Sequence, residues 1–487
     1  MWQGPGTTGG FGGDMLSASE PRLPTVNARL RICLFLLFVL IAWFPEFSQL
    51  EDAHSAEDVR TIYNYRPIGG ITASVFDYAF AAVVLIWMAK CVLPRPKGVL
   101  HAPLARYMLT LLAVWSFNLI HGLVRGNEAY YALREFRCQA YFVLAFLMVV
   151  TVWQSPGDGQ RFTKLLIAMA AIVGGYGVGL YSLGIGKEFL DHVMIYYDIS
   201  DSIVLYSAML VLGSFAAEGG IGKGKAFLAT ILTVPIVFTF LFSYRRGAWV
   251  GFLAGLLFFA SFYPGRARMR RMVLRRVLMP AFGVILLIFA VPSLRRDALD
   301  FVVDRVYSVA DVSEDSSNIF RILDARNALN SFIHHPLIGV GAGGRYDLEF
   351  TSQQVLMSFM EEVNRTSHNG YLYVLFKAGI VGFVAYLAVY AKFLRQWFLA
   401  RKRTAGPADR RQIMACGAIV VAILVNNMTE TMSDLLRPSL LLAFVMGWGA
   451  VLIRDIQRRA GVTSQRLASR RGASGRADWG GSVSLER

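Results

Sequence analysis

Charge is scarce in this chain. Asp, Glu, Lys and Arg make up 17% of its 487 residues, where a soluble protein carries about 25%, so there is too little polar surface for an ordinary water-facing domain. Cysteine is scarce too. The four present, Cys33, Cys91, Cys138 and Cys416, form no disulfide framework. Seven histidines include neither an HExxH nor a Cys/His spacing, which removes the common zinc signatures, and no metal or cofactor is expected. His334-His335 are adjacent and would not aim both rings at one site on a helix. No GxxxxGK[ST] loop and no nucleophile elbow occur. Residues 1–28 hold neither the apolar core nor the cleavage site of a signal peptide. Asn364-Arg365-Thr366 matches a glycosylation sequon and is read as chance.

What the chain has in abundance is apolar length. Hydrophobic residues reach 55% and mean hydropathy is +0.47. A membrane-spanning helix needs about 20 largely apolar residues. Twelve such runs are present, at about 30–47, 71–93, 104–123, 137–153, 162–183, 202–217, 226–242, 247–263, 273–291, 368–394, 412–428 and 435–453. The expected fold class is an all-α polytopic membrane protein of about 12 transmembrane helices.

The cations orient it. The formal charge is +16, with 49 Lys and Arg against 33 Asp and Glu. With a cytoplasmic N-terminus, 32 of the 49 fall in inner segments and 16 outside, with Lys377 inside a helix. Seven of the 16 lie in one long loop, and long loops are exempt from the positive-inside bias. Both termini are therefore expected in the cytoplasm. The stretches 266–276 and 395–411 read as orientation signals in contact with lipid headgroups, which leaves no need for nucleic acid as a partner.

The organisation follows. Residues 1–28 read as a disordered cytoplasmic tail, 29–291 as helices 1–9, 292–367 as an external helical lid, 368–455 as helices 10–12, and 456–487 as a disordered basic tail. The lid is too long for a connector. It carries helical apolar spacing over 299–309, over Ile319, Ile322, Leu323, Leu329, Phe332 and Ile333, and over 353–363. Pro336 ends its second helix, and Gly339, Gly341, Gly343 and Gly344 follow as a flexible turn.

Polar groups at membrane depth carry the functional candidates. Arg245-Arg246 fill a two-residue turn between helices 7 and 8 on the side where cations are disfavoured. Guanidinium pairs bidentately with phosphate oxygens; the alternative is arginines snorkelling to lipid. At the mouth of helix 10, Ser367-His368-Asn369-Gly370-Tyr371 offers a helix cap and an imidazole able to act as a base or a phosphate donor. Lys377 lies about 13 Å further along that helix, to snorkel, to pair with an acid such as Asp77, or to reach into a cavity. Arg321 and Arg326 flank Asp324 on the lid helix, and Arg321 points either to the membrane site or to water. Arg134, Arg137, Asp198, Asp201, Glu430, Asp434 and Arg437 cluster at outer helix ends, where a plain interfacial ring is the simpler reading.

In their order, these parts resemble the O-antigen ligase and polymerase superfamily. The resemblance is carried by Phe320-Arg321-Ile322, the run from His335 to Gly341, Ser367-His368-Asn369-Gly370-Tyr371-Leu372 and Gly379-Ile380-Val381-Gly382, together with the Ser243-Tyr244-Arg245-Arg246-Gly247 turn. It implies a membrane glycosyltransferase of the GT-C type in a Gram-negative inner membrane, metal-independent and inverting. Such an enzyme takes a glycan from undecaprenyl diphosphate on the periplasmic face. The acceptor is lipid A-core in a ligase, another lipid-linked repeat in a polymerase, or a protein hydroxyl in a third variant. The resemblance also implies roles: Arg245 or Arg246, with Arg321, on the diphosphate, and His368 with Arg321 in catalysis. Arg137, Lys377 and Asn369 are secondary candidates. A flippase or transporter of lipid-linked glycan is the main rival, though no half-repeat is visible. A scaffold for an envelope assembly is a third reading.

Overall fold

The computed structural model describes residues 28–42, 73–94, 99–100, 102–153, 156–184, 187–189, 192–194, 199–218, 223–243, 245–263, 316–348, 364–404, 406–432 and 434–477. In chain order its helices are α1 (Ala28–Ala42), α2 (Val75–Trp87, continued by a π turn over Met88–Val92), α3 (Ala105–Val124), α4 (Ala129–Val152), α5 (Pro156–Ser182) and α6 (Ile199–Glu218). They continue as α7 (Lys223–Phe242), α8 (Arg246–Phe262), α9 (Ser316–His334), α10 (Gly370–Arg401), α11 (Pro407–Asn426) and α12 (Leu436–Ala477). A short two-stranded antiparallel hairpin, Lys187–Phe189 with His192–Met194, stands between α5 and α6 in this otherwise helical fold.

Among the described residues seven helices are long and apolar enough to cross a membrane, with Ala229–Phe242 and Arg246–Phe262 as shorter apolar helices. Eleven of the twelve apolar runs fall on helices. The ninth, 273–291, lies outside the described residues, as do the lid stretches 299–309 and 353–363. Burial ranks the helices. The spanning windows of α12 and α4 are 94% and 78% buried, against 22% for α2 and 28% for α3. The bundle is therefore centred on α4 and α12, with α2 and α3 at its rim. The last helix runs on through Ala477, into the stretch that composition assigned to a disordered tail from residue 456. Ala and Arg are good helix formers, and the helix is already nucleated in the bundle.

Two features position the site. First, α8 presents Gly247, Gly251 and Gly255 to α11. A Cβ at Gly251 would meet Ala422 O at 2.7 Å, one at Gly255 would meet Ala418 O at 2.8 Å, and one at Gly247 would overlap Thr429 Oγ1. Small residues four apart let the two backbones close up, which brings the Arg245-Arg246 turn against Thr429 and Glu430. Second, α10 is broken at Gly379 (φ 61°, ψ −165°), a conformation open essentially to glycine alone.

The break frees backbone groups that must find partners in a dry interior. The glycine segment after α9 supplies them. Val340 N donates to Phe376 O at 2.9 Å and Gly341 N to Lys377 O at 3.0 Å, while Ile380 N donates to Pro336 O at 2.8 Å. Asn118 Nδ2 also donates to Lys377 O, at 2.7 Å. Gly339, Val340, Gly341, Ala342, Gly343 and Gly344 are all buried. The expected flexible turn is instead a packed strap, because the broken helix gives its amides something to bond.

Lys377 secures it. Its ammonium is fully buried and donates to Glu135 Oε1 at 2.5 Å and to Gly344 O at 2.7 Å. The other carboxylate oxygen, Oε2, accepts from Gly343 N at 2.7 Å. Of the alternatives open for Lys377, pairing is the one realised, with Glu135 in place of Asp77. Asp77 is already taken, by Arg137 at 2.7 Å and by the Tyr141 hydroxyl at 2.9 Å.

Candidate functional site

The lid helix α9 lies with its faces in an unexpected sense. Ile322, Leu329 and Ile333, members of its apolar stripe, are exposed. Asp324, Asn327, Ala328 and Ser331 form the buried face. The helix thus turns its polar groups toward the bundle and apolar ones outward.

Arg321 is directed to the bundle. Its guanidinium donates to Thr429 O at 2.9 Å and to Glu430 Oε1 at 3.3 Å. Arg245, the residue before α8, brings its guanidinium within 3.9 Å of the same Glu430 oxygen. One carboxylate thus stands between two cations from segments 76 positions apart in sequence. Arg246 opens α8 beside them, half-buried. Arg326 is exposed on α9 and faces away.

One turn along α9, Asp324 organises the mouth of α10. Its Oδ2 accepts from the His368 backbone N–H at 2.7 Å and from the Ser367 hydroxyl at 3.0 Å. Its Oδ1 accepts from the Tyr346 hydroxyl at 2.6 Å. The His368 ring lies with Nδ1 3.4 Å from Oδ2, half-exposed above a buried carboxylate, longer than a catalytic hydrogen bond, as is common before substrate draws such a pair together. The Phe320 ring meets the imidazole edge-on at a centroid distance of 5.1 Å. Burial, and then Asp324, push the Tyr346 phenol well above its ordinary range, so it remains a donor to that carboxylate.

Asn369 caps α10: its Oδ1 accepts from Tyr371 N at 3.0 Å and Leu372 N at 3.1 Å. That is a structural task, and it sets the direction in which His368 leaves the helix. Gly370 N donates to Asn427 O at 2.8 Å, which ties the same mouth to the segment bearing Thr429 and Glu430.

Of the residues singled out from sequence, Arg245, Arg321 and His368 therefore come together, with Arg246 adjacent. Lys377 and Arg137 do not join them. Lys377 holds the strap from inside, and Arg137 salts Asp77 to α4. Reading the sequence missed the tasks of Asp324, Glu430, Tyr346 and Asn427. In the sequence Asp324 is only the acid between Arg321 and Arg326 on the lid helix and Glu430 only one of the charges at outer helix ends, and Tyr346 carries no signal.

A bundle of apolar helices with an imidazole above a buried acid and converging arginines at one end is a polytopic membrane protein. Residues 231–387, from within α7 through α8, α9 and the strap into α10, match the family model described as O-antigen ligase, consistent with the O-antigen ligase/polymerase superfamily and with a membrane glycan-transfer enzyme. No curated protein matches the chain.

Proposed function

We propose that the chain is a glycosyltransferase that moves a glycan from undecaprenyl diphosphate to an acceptor hydroxyl at the periplasmic face of a Gram-negative inner membrane. The observation that carries this is the meeting of Arg245 and Arg321 on Glu430 Oε1, one helical turn from Asp324 and His368. In the transfer, the anomeric carbon loses its bond to the diphosphate oxygen and gains one to the acceptor oxygen. Negative charge builds on the leaving diphosphate, and two preplaced guanidiniums stabilise it as a divalent ion would. The acceptor hydroxyl gives its proton to His368, whose ring Asp324 orients from the Nδ1 side. Attack opposite the leaving group inverts the anomeric centre. Both termini lie in the cytoplasm, on the side that carries 32 of the 49 cations.

The acceptor separates three forms of the reaction: lipid A-core for a ligase, a second lipid-linked repeat for a polymerase, a protein hydroxyl for a protein glycan transferase. Purified protein in proteoliposomes, given undecaprenyl-diphosphate-linked glycan and each acceptor in turn, is expected to release undecaprenyl diphosphate with one of them. Release with none of them sinks the enzyme reading. A flippase predicts the converse of what is expected for His368→Ala, which should lose transfer and leave movement of lipid-linked glycan across the bilayer unchanged.

A further inference from the structure

The far end of α9 carries a second polar centre. From Arg321 to His335 the helix and its exit cover 14 residues, about 20 Å of rise. There, between the end of α3, the end of α9 and the strap, a cavity of about 170 Å³ opens, the share of roughly five or six liquid waters. Arg125, Arg345, His334, His335, Asn330 and Asp347 are among its walls, and among the described residues Val340 is the one aliphatic side chain lining it. Such a lining repels an apolar ligand and suits a hydroxylated or ionic one.

Its charge is lopsided. Among the described residues that line it, two guanidiniums and two imidazoles stand against one carboxylate, that of Asp347. Arg345 leans outward to Glu128 at 2.8 Å. Among the described residues Arg125 has only weak partners: Gly339 O at 3.5 Å and the His335 Nε2 at 3.4 Å. A guanidinium resting against an imidazole needs that ring neutral. Burial lowers the His335 pKa, and Arg125 and His334 lower it further. An anion entering the cavity would give Arg125 the charged acceptor it lacks. None of these groups takes part in the Arg321–His368 cluster. Ser331, however, lines the cavity from the same buried face of α9 that carries Asp324, two turns further on.

We propose that this cavity is a subsite for one acidic sugar unit, carrying a carboxylate or a phosphate, on the glycan that the protein handles. The proposal rests on the glycan-transfer reading for the identity of the chain being held. The subsite grips a unit several sugars away from the reacting bond. Its contacts are equal in ground and transition states, so it sets affinity for acidic over neutral glycans and leaves turnover alone.

Saturation-transfer NMR on the detergent-purified full chain tests this, with glucuronic acid, glucose 6-phosphate and neutral glucose as probes. The two acidic probes should receive saturation and glucose should not; whichever acidic probe responds names the anionic group. Arg125→Gln should weaken that binding about ten-fold, and Asn330→Leu, which fills the cavity from its rim, should weaken it too. Arg321→Gln should leave it unchanged. Equal signal from glucose, or acidic binding indifferent to both Arg125→Gln and Asn330→Leu, overturns the subsite. Binding lost in Arg321→Gln but kept in Arg125→Gln also overturns it, since the probe then sits at the transfer site. Failure of the transfer reading shows elsewhere, as undecaprenyl diphosphate release unaffected by Arg321→Ala, and does not touch the probe measurement.

Discussion

His368 sits directly over Asp324: a single carboxylate oxygen accepts the backbone N–H of His368 at 2.7 Å and stands 3.4 Å from its ring Nδ1. Backbone and ring are steered by the same buried group, so the imidazole is aimed from two directions at once. Asp324→Asn keeps the shape, loses the charge and leaves one oxygen to serve the backbone. Transfer should fall about 10²-fold in kcat with KM little changed, and His368→Ala should fall within the 10²–10⁴-fold range of a lost general base. A kcat for Asp324→Asn equal to wild type would show that the ring needs no orienting acid.

The two arginines act by shape as much as by charge. Arg321 spans Thr429 O and Glu430 through two different nitrogens of one planar fork, a geometry that the compact ammonium of a lysine does not reproduce. Arg321→Lys should therefore recover little of what Arg321→Ala loses, both standing about 10²–10³-fold below wild type in kcat. Steady-state release of undecaprenyl diphosphate measures it. Near-full activity in Arg321→Lys would reduce the residue to a screening charge.

Lys377 and Glu135 predict a stability effect that depends on whether one or both are removed. Lys377→Met strands a buried carboxylate and should cost about 3–5 kcal/mol. Lys377→Met with Glu135→Leu leaves Gly343 N and Gly344 O short of partners but no naked charge, and should recover more than half of that loss. Thermal unfolding in detergent reads both. A double variant no better than the single would mean that the ion pair itself contributes little.

Acid should loosen the clasp at Glu128. The hydrogen bond from Arg365, and then Arg345, hold its carboxyl below the ordinary 4.5. A lowered folded-state pKa means that the carboxylate stabilises the fold above about pH 4.5, with the benefit lost as pH falls through the lower folded value. The melting temperature of wild type should exceed that of Glu128→Gln at neutral pH, and the gap should close in acid. A gap that is constant with pH would assign the effect to packing.

The helices were legible because hydropathy is local: each run of about 20 apolar residues announces itself. Arg245, Arg321 and His368 were legible for a related reason, as polar groups where the bilayer tolerates few. Pairing was not. Lys377 and Glu135 are 242 positions apart, and nothing in the spacing favours Glu135 over Asp77. Asp324 looked like one charge of three on an amphipathic helix, yet that helix turns its polar face inward, the reverse of what water-exposed helices teach. The strap was hidden most completely. Four glycines in six residues read as slack chain until the broken α10 on the other side is known to be holding out its carbonyls.

That strap also decides how the roof over the site can move. The Val340 and Gly341 amides bond into the gap of α10, the Ala342 amide to Asn118 O on α3 and the Gly343 amide to Glu135 on α4, while the buried Lys377 ammonium holds Gly344 O, so this end of α9 is fixed to three helices at once. Toward Ser316 the helix is held by side chains instead, Arg321 on Thr429 O and Glu430 and Asp324 on the mouth of α10, so any movement of the roof has to break those contacts first.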